Sequence, residues 1–381
     1  MATDTVLVVG AGFAGAVHAR VLAEAGVRVH VIDRRPHIGG NAYDERSASG
    51  VRVHRYGPHL FHTNMEHVVA WLTRFGRFVP YEHRVEALLP DGRFVPLPVN
   101  RSTINTVFGA DLQTQAQVEA FLAERAEPCL SPSNAGEYLA SRIGRDLTDL
   151  FFRPYTRKMW GQQLEQMEAE VVKRIPLRFD DEHRYFPNDR FQLLPQDGYT
   201  AVFANILDHD LITIDLNISF EKSLMANYLH CFNSMAIDEY FNEAFGPLPY
   251  RSIRFHHREV GPQEQRGSAP VINFTDAGPF TRETDWSRLP GHAGDGATRT
   301  VTLEEPCDYR DNNFERYYPV KTSDGRSDAI YRQYQGLAAK EPSLSFIGRC
   351  GVYQYLDMHQ VINQSLIHAR NWLAAQSMGR R

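Results

Sequence analysis

Gly10-Ala-Gly12-Phe-Ala-Gly15, with Asp33 placed 18 residues after Gly15, is a set of residue types suited to holding phosphates and a ribose. Gly10 permits a tight turn, Gly12 lets the backbone approach a pyrophosphate, and Gly15 lets a helix pack closely on the preceding strand. The helix N-terminus then offers free N–H groups and partial positive charge to phosphate oxygens. Asp33 is placed to accept hydrogen bonds from adenosine ribose hydroxyls. A second pair, Gly39-Gly40, favours FAD over NAD, because nicotinamide enzymes have no common need for another close backbone approach just past the ribose acid.

Two further groups of residues could do chemistry. Tyr56-Gly-Pro-His59-Leu-Phe-His62 puts two imidazoles three apart on a Gly-Pro loop. They could act as acid and base, ligate a metal, or fill hydrogen-bonding slots beside a cofactor. No acidic partner is nearby in sequence, so no metal site is expected and a place beside the flavin ring is favoured. Phe151-Phe-Arg-Pro-Tyr155-Thr156-Arg-Lys-Met-Trp160-Gly161 mixes aromatics with three cations. It reads either as a core helix end with a solvated basic face, or as a site where rings stack on a base and cations neutralise a diphosphate. Lys173-Arg174, Arg184-Tyr185-Phe186 and Thr281-Arg282 add cations and phenols of the same kind.

The elements that must position these groups can be read from periodicity. Val6 to Val9 is a strand, a helix follows the glycines, and Val31-Ile32 leads a second strand into Asp33, which makes a βαβ unit. Met65 to Phe75 has helical spacing, and Arg84–Leu89 and Arg93–Leu97 read as a hairpin closed at Pro90-Asp91-Gly92. Helical texture runs from Ser102 to Val172, with Val118–Arg125, Ala135–Ile143 and Leu147–Phe152 as segments. Strands return from Pro247 to Val320, broken by the Gly-rich stretch 291–296. Leu344–Ile347, a Gly348-Arg349 turn and a helix from Met358 to Ala375 return to the nucleotide-binding sheet. The expectation is an α/β protein with a discontinuous Rossmann-like FAD-binding domain (1–75, 190–244 and 335–381). It carries a helical insertion with a mobile loop (100–172) and an antiparallel-sheet substrate domain (76–99, 173–189 and 245–334).

Bulk properties bound the function. The 381 residues carry a net charge of −5, which points to neither a nucleic acid nor a membrane surface as a general partner. No apolar run is long enough to span a bilayer and the first apolar residues belong to the first strand, so neither signal peptide nor anchor is expected, and the protein is expected to be cytoplasmic. The four cysteines, 129, 231, 307 and 350, form no Cys-x-x-Cys pair and read as free thiols.

Seven ordered motifs resemble the prokaryotic UDP-galactopyranose mutase family. They are the glycine run at 10–15, His37-Ile-Gly-Gly-Asn41-Ala-Tyr43, Tyr56 to His62, Phe151 through Gly161, Tyr250-Arg-Ser-Ile-Arg-Phe255, Tyr317-Tyr318-Pro319, and Gly348-Arg349 through Tyr353-Gln-Tyr355-Leu-Asp357-Met358. The resemblance covers nearly the whole chain. It implies a nucleotide-sugar mutase that interconverts pyranose and furanose forms of an NDP-hexose, using reduced FAD as nucleophile without net redox change. It implies that Arg174, Arg282, Tyr185, Tyr318 and Tyr355 meet the diphosphate, and that His62 sits against the flavin. It further implies that Trp160 closes over the sugar, that Phe151, Tyr155, Thr156 and Asn273 hold the nucleoside, and that Asp357 lies near the sugar. Cofactor contacts are implied at Gly10, Gly12, Phe13, Ala14, Gly15, Asp33, Arg34, Gly40, Asn41, Tyr56, His59, Arg349 and Met358. A homodimer and a reductant such as NAD(P)H or a reductase are implied as partners.

The chain also departs from the family pattern. Asn233-Ser-Met235-Ala-Ile-Asp238 lacks a usual glycine, so Met235 adds bulk near the cofactor. Gln354 replaces an arginine, Pro154 a glycine and His359 an acid. These departures leave room for a GDP- or dTDP-linked hexose in place of UDP-galactose. The other readings are a redox flavoenzyme related to amine oxidases, and a nucleotide-sugar binding protein whose flavin site has decayed at Met235. The arginines and tyrosines argue against the amine oxidase, because an amine needs no cluster of anion-binding groups.

Overall fold

The β-branched run at the N-terminus becomes a strand of a five-stranded parallel sheet. In order across the sheet the strands are Ile212–Leu216, Arg28–Asp33, Thr5–Val9, His230–Asn233 and Leu344–Phe346. The computed structural model describes residues 4–173, 178–261, 263–264, 267–294, 296, 298–322 and 324–379. Small residues on the helix Phe13–Glu24, including Ala14, Ala16 and Ala19, let it lie close against one face of the sheet. The helix Met358–Gly379 packs beside it through Ile362, Leu366 and Ala369. On the other face, Leu7, Val9 and Ile32 join Tyr240, Leu248 and the buried Tyr334 of the helix Arg326–Ala338 in a second apolar cluster. The domain boundary expected at residue 334 falls inside that helix, whose apolar side is buried with the parallel sheet.

The second sheet has seven strands. Their order is Tyr318–Pro319, Tyr250–Val260, Arg299–Asp308, Arg282–Asp285, Val271–Phe274, Val85–Leu88 and Phe94–Leu97. All its neighbours run antiparallel except Val271–Phe274 with Val85–Leu88, which are parallel. The hairpin expected around 90–92 is present, with Val85 opposite Leu97. One rung of this sheet matters for function. Asn273 stands opposite Arg282, Arg282 opposite Glu304, and Glu304 opposite Phe255. Residues in register share a face, so these side chains project together.

The helical insertion comprises Arg101–Phe108, Gln115–Ala123, Ala135–Leu147 and Arg153–Trp160, with a π-helical turn at Thr148–Phe152. It has its own core of Ile104, Val118, Leu139, Ile143 and Phe152. Pro154 falls in the first turn of Arg153–Trp160, where no N–H is required, so its replacement of a glycine suits a helix start. Among the described residues no helix is long and apolar enough to cross a membrane.

Behind the parallel sheet, His18 Nε2 meets His368 Nδ1 at 3.0 Å, and His230 meets the Ser345 hydroxyl at 2.9 Å. Burial lowers the His18 pKa to about 3 and that of His230 to about 4, and lowers that of His368 as well. The folded state therefore binds fewer protons than the unfolded chain below the ordinary histidine value of 6.5. Stability is fully present above that value and is lost as pH falls through the folded values. The melting temperature is expected to drop steadily between pH 6.5 and about 4, and His18→Leu to flatten that drop. An unchanged acid limb in this variant would contradict the assignment.

Candidate active site

The glycine loop opens onto a cavity of about 370 Å³. Its wall runs from Asp33 and Arg34, past Gly10, Gly12, Gly40 and Asn41, to His59, Arg349 and Met358. Asp33 accepts from the backbone N–H of Ala11 at 2.7 Å and of Arg35 at 2.9 Å, which ties the glycine turn to the end of the second strand. The first turn of the helix Phe13–Glu24 holds no acidic residue, so its free N–H groups meet an anion without competition. A Cβ at Gly15 would fall 1.8 Å from the Gly10 carbonyl oxygen, so helix packing requires glycine there. Gly40 has φ +55 and a Cβ on it would come 2.8 Å from the Gly12 Cα. The second glycine pair thus seats one loop against the other. Gly40→Ala is expected to push the loops apart at a cost of about 1–3 kcal/mol and to lower the retained dinucleotide tenfold or more, read as the nucleotide released per protein on denaturation. Full dinucleotide content in this variant would count against the cavity as the dinucleotide site.

Met235 lines the cavity and also packs against the apolar cluster containing Tyr240 and Ile237. Ser234 faces Gly10, where a Cβ would stand 2.0 Å from its hydroxyl oxygen. The glycine loop and the second glycine pair on the cavity wall suit a dinucleotide. Tyr56 is not on the cavity wall. It stands behind it, its hydroxyl 2.7 Å from His37 Nε2 and its ring 4.3 Å from the Arg35 guanidinium. Arg35 itself pairs with Glu315 at 2.6 Å and donates to Asn41 at 2.9 Å, so it braces the ribose end.

The Gly-Pro loop separates its two imidazoles. His59 lines the cavity, and its backbone N–H donates to His54 Nδ1 at 3.0 Å. Burial lowers its pKa to about 4, helped by Arg349 and Arg282. His62 does not line the cavity. It stacks on Phe186 at 3.6 Å, pairs through Nδ1 with Asp189 at 2.6 Å, and has His359 edge-on at 5.6 Å. The acidic partner that the local sequence lacked comes from 127 residues away.

Arg282 is the charged centre of a second cluster of side chains, which is not on the wall of that cavity. Glu304 holds one of its nitrogens at 3.0 Å, while Nε has no hydrogen-bond partner among the described residues. Burial would depress the guanidinium pKa, but Glu304 and the phenols of Tyr155, Tyr318 and Tyr185 more than offset it and the net direction is up. Burial in turn raises the tyrosines, Tyr318 to about 12, so their hydroxyls stay protonated donors. Burial also raises Glu304, against the pull of Arg282. Tyr318 and Tyr355 stack at 5.5 Å, and Arg349 lies 5.2 Å and 5.3 Å from their two rings. Trp160, at the C-terminal end of its helix, meets both tyrosines edge-on at 6.2 Å and 6.5 Å.

The structure thus gathers Arg282, Tyr155, Tyr185, Tyr318, Tyr355 and Trp160 into one cluster, with Asn273 in register beside Arg282. Phe151 and Thr156 are buried in the helical insertion. Asp357 begins the turn before the C-terminal helix, its N–H donating to Gln360 at 2.8 Å. Gln354 is exposed. Arg174 lies outside the described residues. Sequence reasoning missed Glu304, Asp189 and Arg35, each of which acts through a partner far along the chain. Among the described residues no group of three or more histidines, cysteines or acids could hold a metal.

Comparison with known proteins places this geometry. A family model described as UDP-galactopyranose mutase matches residues 150–355, and one described as an NAD(P)-binding Rossmann-like domain matches 8–75. The chain is 35% identical to dTDP-fucopyranose mutase of Escherichia coli, over 95% of this chain and 97% of that one. It is equally 35% identical to a probable UDP-galactopyranose mutase of Klebsiella pneumoniae, over 98% and 96%. A crystal structure of reduced UDP-galactopyranose mutase superposes with a TM-score of 0.75 at 17% identity, covering 98% of this chain and 95% of that one, which bears on the fold. On the family match and on identity across nearly the whole chain, the protein belongs to the UDP-galactopyranose mutase family.

Proposed function

We propose that this protein interconverts the pyranose and furanose forms of a nucleoside-diphosphate hexose, UDP-galactose or a close analogue, with FAD in the cavity. The carrying observation is Arg282, whose Nε has no partner among the described residues, with three phenols around it and Asn273 beside it. Reduced FAD would supply a nucleophilic nitrogen to the anomeric carbon and end in the oxidation state in which it began. Departure of the diphosphate puts negative charge on its oxygens. Arg282 and the neutral hydroxyls of Tyr155, Tyr185 and Tyr318 are aimed at that charge before it develops. Arg174 is the proposed second cation. Trp160 excludes water from the sugar, Phe151, Thr156 and Asn273 hold the nucleoside, and Asp357 serves the sugar end. His62 is oriented by Asp189 beside the ring-bearing end of the cavity, and His59 presents an uncharged imidazole to it.

A second substrate reading has a specific observation behind it. Identity to the dTDP-fucopyranose mutase equals that to the UDP-galactopyranose mutase, so a dTDP-linked sugar is the first alternative and a GDP-linked hexose the next. Incubating the dithionite-reduced protein with UDP-, dTDP- and GDP-linked hexoses and separating the isomers by chromatography tests the choice. A cytoplasmic homodimer fed electrons by NAD(P)H or a reductase completes the proposal.

A further inference from the structure

Two cations near Trp160 have no part in the diphosphate reading. Lys158, two residues before Trp160, donates to the carbonyls of Phe274 and Phe280, each at 2.8 Å, with Asp276 Oδ1 at 3.4 Å. Its side chain is 8% exposed. Phe274 and Phe280 flank the loop that joins the strand of Asn273 to the strand of Arg282, and Phe274 N–H closes that loop on the Thr281 carbonyl at 3.0 Å. Lys158 therefore bridges the neck of the hairpin that bears both residues.

Arg251 holds the same helix through its last carbonyls. It lies on the strand Tyr250–Val260 in register with Tyr318. Its Nε donates to the Met159 carbonyl at 2.9 Å and its Nη2 to the Lys158 carbonyl at 3.0 Å. These belong to the last turn of the helix, where carbonyls lack helical partners and carry the negative end of the dipole. Gly161 ends the helix at φ +66, and a Cβ there would come 3.2 Å from Arg251 Nη1. Removing cations from water is costly unless their donors are used, and here the Lys158 ammonium meets carbonyls of the hairpin while the half-buried Arg251 meets carbonyls at the Trp160 end of the helix. At the other end the helix is joined to its domain by a π-helical turn and a kink at Gly144, φ +77. Irregular winding of this kind gives an element room to shift.

We propose that Lys158 and Arg251 form a two-point latch that sets Tyr155 and Trp160 against the cluster of Arg282, Tyr318 and Tyr355. They are positioning residues that couple the helix Arg153–Trp160 to the strands bearing Asn273, Arg282 and Tyr318. Their effect on turnover rests on the mutase reading, whereas their effect on the helix does not. The test uses Lys158→Met, Arg251→Gln, and Lys158→Cys alkylated with bromoethylamine, which restores an ammonium at similar reach, with wild type treated in the same way. Amide hydrogen exchange over 153–160 in the free protein is expected to quicken about tenfold in the first two variants and to return in the aminoethylated one. KM for the nucleotide sugar is expected to rise about tenfold with kcat altered less than threefold, and to be rescued likewise. Unchanged exchange over 153–160, or exchange quickened uniformly over the chain, overturns the latch. Quickened local exchange with unchanged KM overturns its coupling to the site. If wild type isomerises no nucleotide sugar, the function proposal fails while hydrogen exchange still decides the latch.

Discussion

Arg282→Ala is expected to lower kcat/KM about a thousandfold, the scale seen when one preorganised group facing a developing anion is removed. The same change strands Glu304, which is 1% exposed and already has one oxygen without a partner. Leaving a buried charge unpaired costs about 3–5 kcal/mol, so the carboxyl will take up a proton instead where pH allows. The sign follows from linkage. Burial raises the folded pKa of Glu304, and losing Arg282 raises it further, so the folded variant binds more protons than the unfolded chain above the ordinary glutamate value. The variant's stability therefore falls as pH rises. Its deficit in melting temperature against wild type should be smaller at pH 5 than at pH 8, and Glu304→Gln added to Arg282→Ala should remove the difference. Turnover close to wild type would dismiss Arg282 as the diphosphate partner, and a pH-independent deficit would dismiss the Glu304 account.

Arg349→Ala is the second large effect. This guanidinium binds the Leu356 carbonyl through Nη2 at 2.6 Å and through Nε at 3.2 Å, and the Tyr317 carbonyl at 3.3 Å. It also faces the rings of Tyr318 and Tyr355 and lines the cavity. One side chain thus fixes the cofactor wall and the two stacked tyrosines relative to each other. Its loss frees the 353–357 turn, and misplacement of positioning groups by about 1 Å costs on the order of a hundredfold in rate. We expect turnover about a hundredfold lower together with weaker flavin retention. Arg349→Lys should recover little, because a compact ammonium cannot reproduce the planar fork. Loss of one property without the other, or full recovery by lysine, would show that the two sides are not joined through this residue.

What could be read from sequence was local. The glycine turn with Asp33, the 85–97 hairpin and the C-terminal strand and helix depend on neighbours close in the chain. Of the two sheet partners of the first strand, Arg28–Asp33 belonged to the expected βαβ unit, whereas His230–Asn233 comes from far along the chain and could not be read locally. Helix Arg326–Ala338 was overlooked because its buried Tyr334 faces a cluster built from residues 7 to 353. In the site, the phenols and Arg282 were recognisable by type and motif. Glu304 was not, since an acid on an alternating strand reads as solvated until register places it opposite Arg282. The His62 pair with Asp189 and the Lys158 bridge to the 274–280 hairpin are long-range in the same way. The close backbone approach of Gly40 to Gly12 also joins residues that sequence alone does not bring together.

The central claim is isomerisation without net redox change at a site that clamps a diphosphate. It is tested most directly by anaerobic incubation of the protein, reduced and oxidised in parallel, with each of the UDP-, dTDP- and GDP-linked hexoses. Isomers are separated by chromatography while the flavin spectrum is followed. The account predicts a furanose product from at least one of them with the reduced protein, none with the oxidised protein, and a flavin that stays reduced throughout. Equal activity of the oxidised protein, or oxidation of the flavin in proportion to product, would contradict it.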